Sequence, residues 1–390
     1  MSKLWNITYS KAWGANFLLY FSFMLITPLF PVYLNERFGA SKDTIGLVLA
    51  GYSIMAIAAR FVSGHLVDTL PRIKVLVCAY LLFVACSGAY LVAGSLFLFA
   101  IVRTLHGAPF GAITVANSTV AFDSLPHSRR AEGIGYYGLS NNIAMALSPA
   151  VGIWMFSLWP SYELLMWAAV ATAVVGCTLT ASMRLPRRVR PLPHKEFSFR
   201  SMVLWKGWSP GLCSLSYAVA YGIVSTYVAL YGIEVLEHRN AAGVFFFCFS
   251  VGLVVSRLIG GRGLRQGKIV ANGAIGVVTG SIGYLLFALV PTVWSLYLSS
   301  LIIGLGCGHM FPALQNIFIS MARKDQRGIA TSTLLVSWDI GVGIGTLAGG
   351  FLSNSAGFAA AFLFAAAFKV AGSFFFFLHT RHDFYRKRLT

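Results

Sequence analysis

Charge is scarce in this sequence. Only 11% of its 390 residues are Asp, Glu, Lys or Arg, where a soluble protein carries about 25%. Acids are the scarcer sign, 12 against 30 basic residues. Catalytic signatures are missing too. There is no H-E-x-x-H, no paired-carboxylate pattern and no activated nucleophile, which argues against an enzyme. No G-x-x-x-x-G-K-[ST] is present, so nothing points to ATP-driven work. The six cysteines (Cys78, Cys86, Cys177, Cys213, Cys248 and Cys307) show no metal-ligand spacing. They read as small apolar packing residues, with no metal and no cofactor expected.

Apolar runs are what the chain has in excess, at a mean hydropathy of +0.74. Twelve runs are long enough to cross a bilayer. They cover roughly 12–33, 45–67, 74–93, 95–121, 133–157, 162–183, 209–235, 242–260, 269–291, 293–320, 330–353 and 357–379. The start, "MSKLWNITYSKAWG", lacks the pattern of a cleavable signal peptide. The net charge of +18 follows topology and does not read as a nucleic-acid footprint. Arg37, Lys42 and Arg239 are the only basic residues in odd-numbered loops, and Arg60, Arg103, Arg257 and Lys369 lie inside runs. The rest sit at the termini and in even-numbered loops. This positive-inside bias places both termini in the cytoplasm, with basic loops near anionic lipid heads.

The chain also repeats itself. Arg60-x-x-x-Gly64-x-x-x-Asp68 after run 2 returns as Arg257-x-x-x-Gly261-x-x-x-Arg265 after run 8, 197 residues on. The same offset takes Arg130 to Arg327, Asn142 to Asp339 and Gly152 to Gly349. Runs 1 and 7 align at an offset of 201, pairing Asn16 with Tyr217 and Tyr20 with Tyr221. A Pro- and Arg-rich segment, 184–208, separates the halves. The expected organisation is an N-terminal six-helix bundle (1–183), a cytoplasmic linker (184–208) and a C-terminal six-helix bundle with a basic tail (209–390). Repeated halves joined this way are a transporter design, with substrate bound near mid-membrane.

The motifs resemble those of the major facilitator superfamily. "GHLVDTLPRIK" (64–74) is similar to its loop 2–3 motif, with Thr69 and Pro71 as departures. "RTLHGAPFG" (103–111) resembles the run 4 motif of proton-coupled exporters, with His106 at the usual glutamine position. "ALSPAVGIW" (146–154) resembles the run 5 motif of antiporters, with Ser148 for a glycine. Together they resemble the twelve-span drug/proton antiporter family, in its sugar, drug or metallophore efflux branch. The resemblance implies an all-α membrane protein, twelve helices in two pseudo-symmetric six-helix bundles. It implies proton-coupled efflux of a small organic molecule by alternating access. It further implies a monomer in the inner (plasma) membrane of a bacterium, multidrug carriers being among its relatives. Uptake by proton symport, or a receptor that moves nothing, are the competing readings.

Asp339, inside "STLLVSWDIGVGIGTLAGGFL" (332–352), is the one acid expected deep in a run. A carboxylate there costs about 2.5–3.5 kcal/mol on insertion scales and usually serves a function. It is the candidate proton carrier, with a neutral structural carboxyl as the alternative. Arg103 joins it through the resemblance. His309 joins as a titratable group, or as a partner for backbone disturbed by Pro312. Arg103, His106, Gly107, Phe110, Thr114 and Asn117 share one helix face, expected to look into a cavity. His106 reads equally well as a hydrogen-bonded packing residue. Asn16, Tyr20, Asn142, Tyr217, Tyr221, Gln315 and Trp338 complete the candidate cavity. Arg60, Gly64, Asp68, Arg72, Arg257, Gly261 and Arg265 are the candidate gating residues. Lys369 is expected to reach cytoplasmic headgroups with its long stem. "GIGYYG" (133–138) fits a dinucleotide fingerprint but lacks the preceding strand, so it is set aside.

Overall fold

A computed structural model describes residues 4–126, 129–184, 203–238, 240–323 and 326–387. The linker expected at 184–208 falls largely outside them. All regular structure among the described residues is helical. Twelve long helices follow the apolar runs. They are α1 Ile7–Ile26, α2 Lys42–Thr69, α3 Arg72–Ala89, α4 Leu96–Asp123, α5 Arg130–Leu158, α6 Tyr162–Ala181, α7 Trp208–Glu234, α8 Ala241–Arg265, α9 Ile269–Leu289, α10 Val293–Met321, α11 Arg327–Ser355 and α12 Gly357–Phe375. Eleven described helices are long and apolar enough to cross a membrane; α5, 29 residues long, fills the place of the twelfth. At 1.5 Å per residue, 28 residues reach about 42 Å, beyond a hydrocarbon core of about 30 Å.

Local chemistry starts these helices where they start. Asn6, Ser95, Ser161 and Thr292 are extended residues whose side chains accept from the backbone N–H three positions on. Each satisfies a donor the first turn leaves open. Ser95 and Thr292 stand at equivalent places in the 197-residue repeat. After α1, a 3-10 turn (Thr27–Leu29) leads into a short helix, Phe30–Phe38. Gly39 ends that helix at φ 62°, a left-handed conformation that glycine adopts without strain. The surface carries large apolar side chains such as Phe97, Leu258 and Trp294, as a lipid-facing surface should.

The chain forms two compact units. The first comprises Met1–Thr27 and Gly51–Ser198, the second Pro28–Ala50 and Phe199–Thr390. Residues 28–50 thus group with the second unit rather than with the N-terminal half of the sequence. The local reason is plain: Lys42 pairs with Glu234 at 2.7 Å, and Tyr227 OH donates to the carbonyls of Lys42 (3.2 Å) and Thr346 (2.9 Å).

In the first unit α1 packs on α5 and α6, and α3 on α4 and α6. In the second, α7 packs on α11 and α12, and α10 on α8 and α9. Glycines set the closest approaches. A Cβ on Gly107 or Gly111 would strike the backbone carbonyls of Tyr52 and Ala56. A Cβ on Gly304 or Gly308 would meet those of Phe249 and Leu253. All four glycines, and the four residues they face, correspond at the same offset of 197. Small residues at these points let membrane helices close to backbone contact.

Candidate functional site

Among the described residues of the first unit, two clusters of buried polar side chains stand out. In one, Asn16 Nδ2 donates to Ser140 Oγ (2.8 Å) and Tyr137 OH donates to Asn16 Oδ1 (2.9 Å). Asn117 Nδ2 reaches Tyr137 OH (3.0 Å) and the Ala12 carbonyl (2.9 Å). α1, α4 and α5 are thereby tied together by buried polar groups, each using its partner to offset the cost of leaving water. Tyr137 and Ser140 were not singled out from sequence. Their place opposite Asn16 and Asn117 depends on helix neighbours that a one-helix pattern does not report.

The other cluster surrounds α4. The Arg103 guanidinium lies 4.9 Å from the ring centroids of both Phe23 and Tyr52, a setting that stabilises a cation by its ring faces. His106 Nδ1 lies 3.1 Å from Tyr90 OH, and its Nε2 lies 3.4 Å from Ser87 Oγ. His106 therefore faces α3, and the stripe from Arg103 to Asn117 is buried throughout. Tyr20 packs edge-on against Phe110 at 5.1 Å. Asn142 is half-buried and donates to the Gly138 carbonyl of its own helix at 2.6 Å.

In the second unit Asp339 sits midway along α11 and is 9% exposed. It is the one buried acid among the described residues. Its neighbour Trp338 packs against Tyr217 (6.0 Å between centroids), Tyr221 (5.5 Å) and Phe311 (5.5 Å). Tyr217 is fully buried, and its hydroxyl donates to the Ile303 carbonyl at 3.0 Å. Trp338, Phe311 and Gln315 are half-buried. Trp338, next to Asp339 in the chain, thus forms an aromatic shelf with side chains of α7 and α10.

His309, on α10 one turn before Pro312, is held by Asn272 of α9. Asn272 had no place in the sequence reading. Lys369 departs from its expected role. It is buried at 1% exposure, and its Nζ donates to the Val277 carbonyl (3.1 Å) and Ser373 Oγ (2.9 Å) above the Tyr217 ring (5.2 Å). A nearby serine and a helix carbonyl meet its needs, so the stem does not run to the headgroups.

Of the candidate gating residues, Arg60 is buried and Arg72 pairs with Asp123. A Cβ on Gly64 would meet no neighbour. Arg257 is half-buried on α8. The side chains of Asp68 and Arg265, and the surroundings of Gly261, lie outside the described residues.

Helices of this length, in two halves with matched glycines and buried polar clusters, define a multi-pass membrane protein of the carrier type. The Major Facilitator Superfamily model matches residues 12–273 and 273–389, and the chain belongs to that superfamily. It is 23% identical over 361 residues to a staphylopine export protein of Staphylococcus aureus, covering 87% of this chain and 88% of that protein. It is 24% identical over 364 residues to the MFS-type transporter YhhS of Escherichia coli, covering 90% and 87%. Among solved structures it resembles a bacterial homologue of the human lysosomal transporter Spinster, captured inward-facing and unoccupied. There the TM-score is 0.76 at 14% identity, with 98% of each chain covered. It also resembles the nucleoside transporter NupG, at a TM-score of 0.71 and 13% identity over 96% and 98%. These structural likenesses speak to the fold. The chain is a transporter of this superfamily.

Proposed function

We propose that the chain expels a small organic molecule across the bacterial inner membrane in exchange for protons, with Asp339 as the proton-carrying carboxyl. The observation that carries this reading is the burial of Asp339 in mid-helix beside Trp338. Such a group is costly to keep in a bilayer, and membrane proteins that keep one mostly use it. A protonated carboxyl is neutral and tolerates a closed, apolar setting, whereas an ionised one favours a state open to water. Proton loading therefore biases the equilibrium between access states, and a ligand that prefers one state shifts it further. The direction of transport draws support from the exporter among its relatives.

The aromatic shelf of Trp338, Tyr221 and Phe311 suits a ligand with flat apolar surface and a few polar groups. A thermal-shift screen on purified protein identifies ligands, and everted vesicles with an imposed pH gradient then measure their accumulation. Asp339→Asn should abolish pH-driven accumulation. The variant should remain monodisperse and melt no lower than the parent, because asparagine keeps the shape and removes an expensive ionisable group. Full pH-driven transport by Asp339→Asn would remove the carboxyl from the mechanism.

A further inference from the structure

The least ambiguous polar geometry in the second unit belongs to His309 and Asn272. Asn272 Nδ2 donates to the His309 backbone carbonyl at 3.0 Å. A carbonyl only accepts, so this nitrogen is fixed as the donor and Oδ1 must be the other end of the amide. Oδ1 lies 2.8 Å from His309 Nδ1. An amide oxygen also only accepts, so Nδ1 must carry a hydrogen. The two bonds together determine the tautomer. His309 Nε2 makes no hydrogen bond among the described residues.

Pro312 has no N–H to give to the carbonyl of Gly308, and its ring pushes the preceding turn outward. The next carbonyl along, that of His309, accepts a side-chain donor from α9. Gly260 on α8 completes the fit, because a Cβ there would meet His309 Nδ1 at 2.6 Å. The imidazole is thus confined in a slot between α8 and α9.

We propose that Asn272 is a positioning residue for proton transfer: it pins His309 Nδ1–H and leaves Nε2 as the atom that takes up and releases the proton. On protonation the Nε2 lone pair binds the incoming proton, while the Nδ1–H bond to Asn272 persists. The imidazolium so formed gives the proton back from Nε2. This rests on the proton-coupled reading above.

Arg257 of α8 interacts with the His309 ring electrostatically. α9 presents the neutral Asn272. α10 itself carries Cys307, which interacts with Arg257. α7 brings Tyr217, bonded to the Ile303 carbonyl. α11 meets α10 through Trp338 and Phe311 and carries Asp339. The short helix Arg381–Lys387 also touches α10, and there Lys387 is paired with Asp383 at 2.8 Å.

The test is a nitrogen-15 NMR titration of the full chain in lipid nanodiscs, labelled at its eight histidines. His309→Gln identifies the signals of interest. In the unsubstituted protein at alkaline pH, His309 should show a protonated Nδ1 and a bare Nε2, the reverse of the tautomer favoured in water. Acidification should then protonate Nε2. Asn272→Asp should keep the Nδ1–H tautomer and move the midpoint to higher pH by about 1 unit or more, since an anion favours the imidazolium. Asn272→Leu should release the tautomer and move the midpoint to lower pH.

An Nε2–H tautomer in the unsubstituted protein would overturn the proposal without any variant having to fold. So would one common midpoint in all three proteins, or an Nε2 that never titrates. The titration needs no transported compound, so its failure is separate from failure of the vesicle assay. If the titration succeeds but the vesicles show no pH-driven movement, the coupling role falls with the proposed function, and the tautomer assignment stands.

Discussion

The helix pairs α2–α4 and α8–α10 are built to one pattern and furnished differently. Their caps correspond, Ser95 with Thr292. So do the glycines at their crossings, Gly107 with Gly304 and Gly111 with Gly308. The polar side chains do not. His106 maps onto Ile303, and His309 stands six positions further along the repeat. The ring nitrogens of His106 face Ser87 on α3 and Tyr90 just beyond its end, whereas His309 is held by one nitrogen only. Close approach of two backbones admits only small residues, so both halves carry them. A side chain facing one neighbour answers to that neighbour alone, and the halves are free to diverge there. The duplicated part is the scaffold, and the divergent part is where chemistry is to be sought.

The sharpest way to break this comparison is to treat the two histidines alike. His309→Gln should lower pH-driven transport on the order of 100-fold, the range in which loss of a proton-transfer group falls. It should also flatten the pH profile. His106→Gln should act on stability instead. It disturbs the bonds to Ser87 and Tyr90 in a buried setting, costing about 1–3 kcal/mol. Its melting temperature should drop and its rate scale down, with the transport midpoint in place. Identical pH profiles for the two variants would mean that the halves differ in sequence but not in role.

Much of this scaffold was legible in the sequence. The twelve apolar runs correspond to twelve long helices among the described residues, eleven of them long and apolar enough to cross a membrane. The offset of 197 between Arg130 and Arg327 gives the correct register for α5 and α11, both 29 residues long. The site was less legible. Periodicity assigned Arg103, His106 and Asn117 to one face, and they do share burial. It did not name the partners of His106, Ser87 near the end of α3 and Tyr90 just beyond it. Tyr137, Ser140 and Asn272 went unnoticed because their importance comes from helices distant in sequence. Lys369 was read from its own run, where no partner is visible; Val277 and Ser373 meet it across the packing of α9 and α12. Residues 28–50 belong by chain order to the first half, whereas their contacts group them with the second unit.

A smaller effect tests whether the scaffold really is duplicated. Gly107→Ala and Gly304→Ala each push a methyl into a facing carbonyl, that of Tyr52 or that of Phe249. Overpacking of this kind costs about 1–3 kcal/mol. The two substitutions should lower thermal stability by similar amounts, because they stand at the same place in the two halves. Gly64→Ala is the control, since a Cβ there meets nothing within 4 Å. A loss at one crossing and none at the other would show that the likeness of the two pairs is geometric but not energetic.

The smallest effect concerns the segment that groups with the second unit. Lys42 and Glu234 approach to 2.7 Å, but their side chains are 21% and 36% exposed. Water and salt screen such a pair, and its coupling should be about 0.2–1 kcal/mol in a double-substitution cycle. Lys42 has a second attachment, its ammonium 4.3 Å from the Phe358 ring centroid. The two single substitutions should therefore be unequal. Lys42→Gln loses both the ion pair and the cation–π contact, whereas Glu234→Gln loses only the first. High salt should remove the Glu234 effect and leave part of the Lys42 effect, because a ring face is less screened than an exposed carboxylate. The measurement is the apparent melting temperature of the two single variants and the double variant in detergent, at low salt and at about 1 M salt, where the screening length falls to about 3 Å. Equal losses that vanish together in salt would reduce the attachment of residues 28–50 to a surface ion pair, and Tyr227 would be left as the bond that holds them.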